Sequence, residues 1–202
     1  MGKLLARFIS VVFHPLFIPL YCVLIIFNSP VYIIYQLNID AQYAVYAVVA
    51  VFTLVLPAVS TLMLLKMDGI KSLKMNSQEE RKLPFIMSAI FYATAYFSLQ
   101  QVGFPKLITN ALLGATISLV ILFLANFKQK TSAHMVGIGG LLGIVYALSE
   151  IYIVGISQFL FPAIILTGLV GYSRLRLEAH QPIEIYSGLI VGFLSEYLLQ
   201  WH

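Results

Sequence analysis

Seven apolar stretches, each separated from the next by a short polar or broken segment, constrain this chain more than any other feature. They lie at about 5–27, 41–66, 84–101, 106–127, 134–150, 156–172 and 183–201. A helix needs ~20 mostly apolar residues to cross a bilayer core, and most of these runs reach or approach that length. The predicted fold is therefore an all-α, polytopic membrane helix bundle of six to seven transmembrane helices, forming a single transmembrane domain over residues 1–202. Pro84 is placed in the first turn of the third helix, where its missing N–H has no helical partner to lose. The "GFPK" break at 103–106 opens the fourth. Between the fifth and sixth runs no strong breaker occurs, and Ser149 to Ser157 is the most plausible turn; if one of these runs is re-entrant, the count falls to six.

Composition agrees. Only 10% of the 202 residues are charged and 60% are hydrophobic, with a mean hydropathy of +0.93; a soluble domain carries about 25% charged residues. No soluble domain is expected at either end. The basic start "MGKLLARF" precedes an apolar run too long for a signal-peptide core, so it reads as a retained first helix. Cys22 stands alone, which leaves no disulfide framework and no cysteine metal site. The net charge of +4 does not point to nucleic acid, because basic residues of membrane proteins gather in cytoplasmic loops. With seven helices, the N-terminus and segments 67–83, 128–133 and 173–182 share one side. That side holds Lys3, Arg7, Lys66, Lys71, Lys74, Arg81, Lys82, Lys128, Lys130, Arg174 and Arg176, and the other holds Lys106. The basic side is predicted to be cytoplasmic, in an inner or plasma membrane. Cations that bind substrate do not count toward that vote; Lys3, Arg7, Lys66 and Lys128 still do.

Three polar segments on this side carry the candidate chemistry: "KSLKMNSQEERKLPF" (71–85), "FKQKTSAHMVGIGG" (127–140) and "YSRLRLEAHQPIEIYSG" (172–188). In the third, Pro182 opens the last helix and biases Gln181 away from the helical region. His180 then stands just before the helix and Glu184 lies in its first turn. Glu184 could hydrogen-bond one nitrogen of His180 and free the other for attack, or it could simply cap the helix. Arg174 could bind phosphate, or it and Arg176 could only set topology. His134 and Ser132, at the start of another helix on the same face, favour the chemical reading: a nucleophile and a general acid beside hydroxyl and cationic phosphate ligands. Gly137, Gly139, Gly140 and Gly143 read as close helix packing, not as a dinucleotide loop.

The combination resembles the type 2 phosphatidic acid phosphatase family, whose fold is shared with vanadium haloperoxidases. The family's third motif, S-R-x5-H-x3-D, corresponds to Ser173-Arg174, five residues, His180, three residues and Glu184, with Pro182 and Gly188 also in register. Its second, P-S-G-H, corresponds to "TSAH" with Ser132 and His134. Its first, K-x6-R-P, corresponds to Lys74, six residues and Arg81, though Lys82 stands at the proline and Pro84 follows two later. The motifs cover a small part of the chain, while their order and shared side involve nearly all of it. Glu184 replaces Asp and Ala133 replaces Gly, and Lys71 or Lys82 could serve in place of Lys74. The resemblance implies that His180 attacks phosphorus, Glu184 orients it, and His134 protonates the leaving oxygen. Arg174, Ser132, Arg81 and Lys74 would hold phosphate oxygens, with no cofactor and no metal. It implies a lipid phosphatase acting on a phosphomonoester or pyrophosphate of a phospholipid or isoprenoid. The alternatives are a lipid phosphotransferase and a catalytically inactive member of the fold. The partners implied are a phosphorylated lipid and the membrane lipids.

Other polar residues in the apolar runs have bland readings. His14-Pro15, Pro57 and Pro162 suggest kinks. Glu196, near the far end of the last helix, is expected to reach the interface. Tyr197 and Trp201 fit an aromatic belt there. No charge pair falls mid-membrane, which weighs against an ion-coupled transporter.

Overall fold

A computed structural model describes residues 2–29, 37–75, 77–151 and 157–201. Among these residues there is no strand, and seven helices are long and apolar enough to cross a membrane: α1 (Lys3–Asn28), α2 (Ile39–Lys66), α3 (Gln78–Val102), α4 (Lys106–Ala125), α5 (Ala133–Ile151), α6 (Ser157–Arg176) and α7 (Pro182–Leu199). The protein is an all-α integral membrane bundle. Ile90, Phe97, Ile164, Ile165 and Ile190 lie on its outer surface, where a lipid environment suits them. Helix α5 runs through the centre, and Ile138, Ile144, Val145 and Leu148 on it are fully enclosed. Of the turn placed at 149–157, Ser149 and Glu150 belong to α5, and residues 152–156 lie outside the described residues.

Helices α5 and α7 start on the same face and run side by side in close contact. A Cβ at Gly139 or Gly143 would collide with the carbonyls of Leu189 or Phe193, and one at Gly192 would overlap the Val136 carbonyl. Only small residues permit this approach. The packing reading of the α5 glycines therefore describes their surroundings, with Gly192 on α7 as an added partner.

Three prolines shape the other helices. Helix α1 breaks at His14, where the chain turns through a short 3₁₀ segment, Pro15–Phe17. Before the break, Ala6, Ile9 and Ser10 are buried while Leu4, Leu5, Phe8 and Val11 face outward. In α2, a π segment at Ala50–Val55 precedes Pro57. The N–H that Pro57 lacks would have met the Thr53 carbonyl; the Tyr92 hydroxyl of α3 donates to that carbonyl instead, at 3.2 Å. Pro84 is not in the first turn of α3, as its preference for helix starts suggested. The helix begins six residues earlier, at Gln78, because Ser77 and Glu80 form a reciprocal capping box. Pro84 lies inside the helix, where it removes the bond to the Glu80 carbonyl.

At the opposite end, Tyr146, Phe193, Tyr197 and Trp201 form a ladder of ring contacts. The Tyr197 hydroxyl donates to Glu150 at 2.8 Å.

Candidate active site

Helices α3, α5 and α7 all begin on one face, so their positive dipole ends and unbonded N–H groups lie on the same side. Backbone contacts draw the three starts together. The Ser132 N–H donates to the Glu184 carbonyl at 3.1 Å. A Cβ at Gly188 would come within 2.8 Å of the Ser132 carbonyl, so glycine lets the α4–α5 segment settle onto α7. On α3, the Arg81 Nε donates to the Met75 carbonyl at 2.9 Å, and its Nη1 lies 3.5 Å from the Thr131 carbonyl oxygen. Asn126 ties the end of α4 to the start of α3 through a 2.7 Å bond to the Gln78 carbonyl.

The chain reaches His180 through a tight helix end. The Ala179 N–H bonds the Arg174 carbonyl and the Glu178 N–H bonds the Leu175 carbonyl, at 3.1 and 2.9 Å. Glu178 is left-handed, with φ of 53°. This is a Schellman ending, and it accounts for the short interval between Arg174 and His180. Gln181 is extended, and Pro182 then opens α7.

His180 Nδ1 lies 2.7 Å from Glu184 Oε2, and the same oxygen accepts the Gln181 N–H at 3.2 Å. The cap and the histidine contact thus coexist on one carboxylate. A carboxylate can only accept, so Nδ1 carries the hydrogen and Nε2 keeps its lone pair. The His180 side chain is 3% exposed. Burial, the largest cause, pulls its pKa down to about 4; Glu184 opposes the shift, while the charges of Arg174 and Arg81 add to it. The imidazole is neutral at pH 7.

His134 stands at the second position of α5. Its Nε2 donates to the Ser10 carbonyl at 3.0 Å. In an unbroken α1 that carbonyl would accept from the His14 N–H, which turns to Val11 instead, at 3.3 Å. The break at His14 therefore fixes the tautomer of His134, leaving Nδ1 as its free nitrogen. The His14 ring packs edge-on against His134 with centroids 5.3 Å apart, and the charge of Arg174 reaches His134.

Three cations converge on the His180–Glu184 pair. Arg81 is 8% exposed, and neither it nor Arg174 forms an ion pair with a carboxylate among the described residues. Arg81, Arg174, Lys130 and Glu184 lie within electrostatic range of one another. Burial, and after it the charge of Arg81, lowers the pKa of the Lys130 ammonium; Glu184 opposes that. Two buried polar atoms here lack any hydrogen-bond partner among the described residues: Arg174 Nε and Ser132 Oγ. Ser132 occupies the position where serine normally caps a helix, and its carbonyl accepts from Met135 and Val136, yet its hydroxyl is not used as a cap.

Of the residues singled out from sequence, His180, Glu184, His134, Ser132, Arg174 and Arg81 are drawn together. Lys74 is not. It is exposed in the 67–77 loop and makes no ion pair among the described residues. Lys82 instead pairs with Glu79 and covers the Phe127 ring at 4.7 Å. The backbone N–H of Lys71 is held by Glu80 at 2.8 Å. Lys130 is the lysine that joins the two arginines. Sequence reasoning also missed His14 and the Ser10 carbonyl; the available signal was the His-Pro breaker within the first apolar run. The Ser173 hydroxyl bonds its own helix at the Leu169 carbonyl, 2.7 Å away, and so supports α6 itself. The chain matches no protein-family model, no curated protein and no solved structure.

Proposed function

We propose that the protein is a membrane-embedded lipid phosphatase, a diverged relative of the type 2 phosphatidic acid phosphatases, acting on a phosphomonoester or pyrophosphate of a phospholipid or isoprenoid. One observation carries this reading. Among the described residues, a buried and a half-buried guanidinium without carboxylate partners, an unpartnered buried arginine Nε and an unpartnered serine hydroxyl surround a neutral histidine whose Nδ1 is held by Glu184. Buried cations are costly unless an anion pairs with them, and a phosphate supplies both the charge and the hydrogen-bond acceptors.

In the proposed reaction His180 Nε2 attacks phosphorus and the bond from phosphorus to the lipid oxygen breaks. Glu184 stabilises the positive imidazole that forms. Protonated His134 gives its Nδ1 proton to the leaving oxygen and returns to the Nε2–H form held by Ser10. Water then attacks the phosphohistidine and gives a proton to His134 Nδ1, which restores the protonated acid; the bond from phosphorus to His180 Nε2 breaks, releasing inorganic phosphate and restoring neutral His180. Arg81, Arg174, Lys130 and the Ser132 hydroxyl hold the phosphoryl oxygens, and the helix starts add partial positive charge. Phosphoryl transfer rests mainly on such positioning and charge stabilisation. The site's place at the end of a bundle with little polar bulk favours a substrate drawn from the bilayer.

The test is phosphate release in detergent from a panel of phospholipids and polyprenyl pyrophosphates, with and without chelator and an alcohol acceptor. Release that resists chelator and disappears in His180→Ala is the expected result. Release only with added alcohol would assign a phosphotransferase. No release from any substrate by folded protein would leave a catalytically silent member of the fold.

A further inference from the structure

A second feature lies deeper in the bundle. Glu196 is 4% exposed and its Oε2 has no hydrogen-bond partner. Although it lies near the end of α7, it does not reach the interface as expected. Its side chain turns into the bundle, where glycines leave room: a Cβ at Gly114 would sit 2.5 Å from Oε2, and one at Gly140 would sit 3.2 Å from Cγ. Gly140 lies seven residues into α5 and Gly114 eight residues into the antiparallel α4, each about 11–12 Å from its own face. The carboxyl is therefore near mid-membrane, where an ionisable group marks a candidate functional site.

Glu196 lines a cavity of about 70 Å³, several times the ~10–15 Å³ that one water needs. Along α5 the lining runs from Ala133 to Ile144, about 16 Å of helix. The end at Ala133 and Pro15 adjoins His134 and His14. The walls between are apolar, including Ile18, Leu112, Val136 and Leu119. Ser118 also lines the cavity, is buried, and has an unpartnered Oγ. Among the described residues no lysine, arginine or histidine lines it, so a ligand with an anionic group would find no counter-charge there. For an ammonium, one carboxylate in apolar walls would be a poor exchange for hydration. A hydroxyl meets the requirement, since it can donate to Oε2 and exchange a bond with Ser118.

We infer that this cavity binds one hydrocarbon chain bearing a hydroxyl group, its methylenes against α1, α4 and α5 and its hydroxyl at Glu196 and Ser118. The chain can be a free fatty alcohol or a hydroxylated chain of a membrane lipid. The inference does not depend on the phosphatase reading, and His180→Ala is expected to leave it intact.

The test uses full-length protein in nanodiscs, titrated with decane, decanol and decylamine and read by native mass spectrometry. Decanol is expected to bind about tenfold tighter than decane, the discrimination of one buried hydrogen bond. That preference should vanish in a Glu196→Leu, Ser118→Ala double variant that still binds decane. Ala115→Phe, which fills the cavity from α4, should abolish binding of both. Displacement of decanol by a phosphatidylcholine with a hydroxylated acyl chain would assign the lipid source, and no displacement the free alcohol; both support the site. Equal binding of decane and decanol, tighter binding of decylamine, undiminished binding in Ala115→Phe, or no binding, as for a cavity holding water alone, would overturn it.

Discussion

At the residue scale, the Oε2 of Glu184 holds the site's logic in one atom. It accepts from His180 and from the start of α7, so replacing it alters both helix and histidine. Glu184→Gln keeps the shape but removes the charge that would balance an imidazolium. It is predicted to lower phosphate release on the order of 10³–10⁴-fold, as when the carboxylate orienting a catalytic histidine becomes an amide. Glu184→Asp, shorter by one methylene, should retain far more activity; equal losses in the two variants would argue that Glu184 acts only as a cap. The pH dependence of stability follows from His180. Its folded pKa of about 4 lies below the ordinary 6.5, so on acidification the unfolded chain takes up the proton first. The stabilisation is full above about pH 6.5 and is lost as pH falls from there toward 4. Burial sets most of this window; of the charges facing His180, Glu184 narrows it and Arg174 and Arg81 widen it. Melting curves between pH 4 and 7 should show a shallower acid decline in His180→Asn than in the wild type; parallel declines would contradict the assignment.

At the element scale, the Schellman ending of α6 sets where His180 falls. Its left-handed position carries Glu178, where a side chain costs roughly 1–2 kcal/mol relative to glycine. Glu178→Gly is predicted to stabilise the protein by about 0.5–1 kcal/mol, with part of the gain offset by glycine's freedom in the unfolded chain. Glu178→Val should destabilise it, and thermal melts of the two variants should move in opposite directions. The sequence shows why some elements were legible and others were not. Apolar run length located the seven membrane-length helices among the described residues. The start of α3 lies six residues before the one that Pro84 suggests, because the Ser77–Glu80 capping box, a pattern also visible in the sequence, opens the helix at Gln78. The break at His14 could be read, but its consequence could not: a freed carbonyl matters only when another helix brings a donor to it. Glu196 was unreadable for the same reason, since its direction depends on Gly114 and Gly140 of two other helices.

At the scale of the whole molecule, the parity of seven helices was enough to put the three polar segments on one face, and the structure supplies what parity lacks: which cations converge. That distinction sharpens the orientation. Arg81, Arg174 and Lys130 form the cluster and drop out of any count of topology-setting charges. Lys71 and Lys74 lie exposed in the α2–α3 loop, Lys82 is paired with Glu79, and Arg176 is exposed. With Lys3, Arg7, Lys66 and Lys128 they leave a strong basic excess on the face where α3, α5 and α7 begin, against Lys106 at the start of α4 on the other. Lysines and arginines near short loops stay on the cytoplasmic side during insertion, so the face bearing His180 is predicted to be cytoplasmic. Fusions after Lys130 and after Gly103 test this directly. A green fluorescent reporter should fluoresce at the first position and a secreted-phosphatase reporter should be active at the second. The opposite pattern would mean that the exposed lysines do not set orientation and that the cation cluster faces the exterior, where its substrate would have to be presented from the outer leaflet.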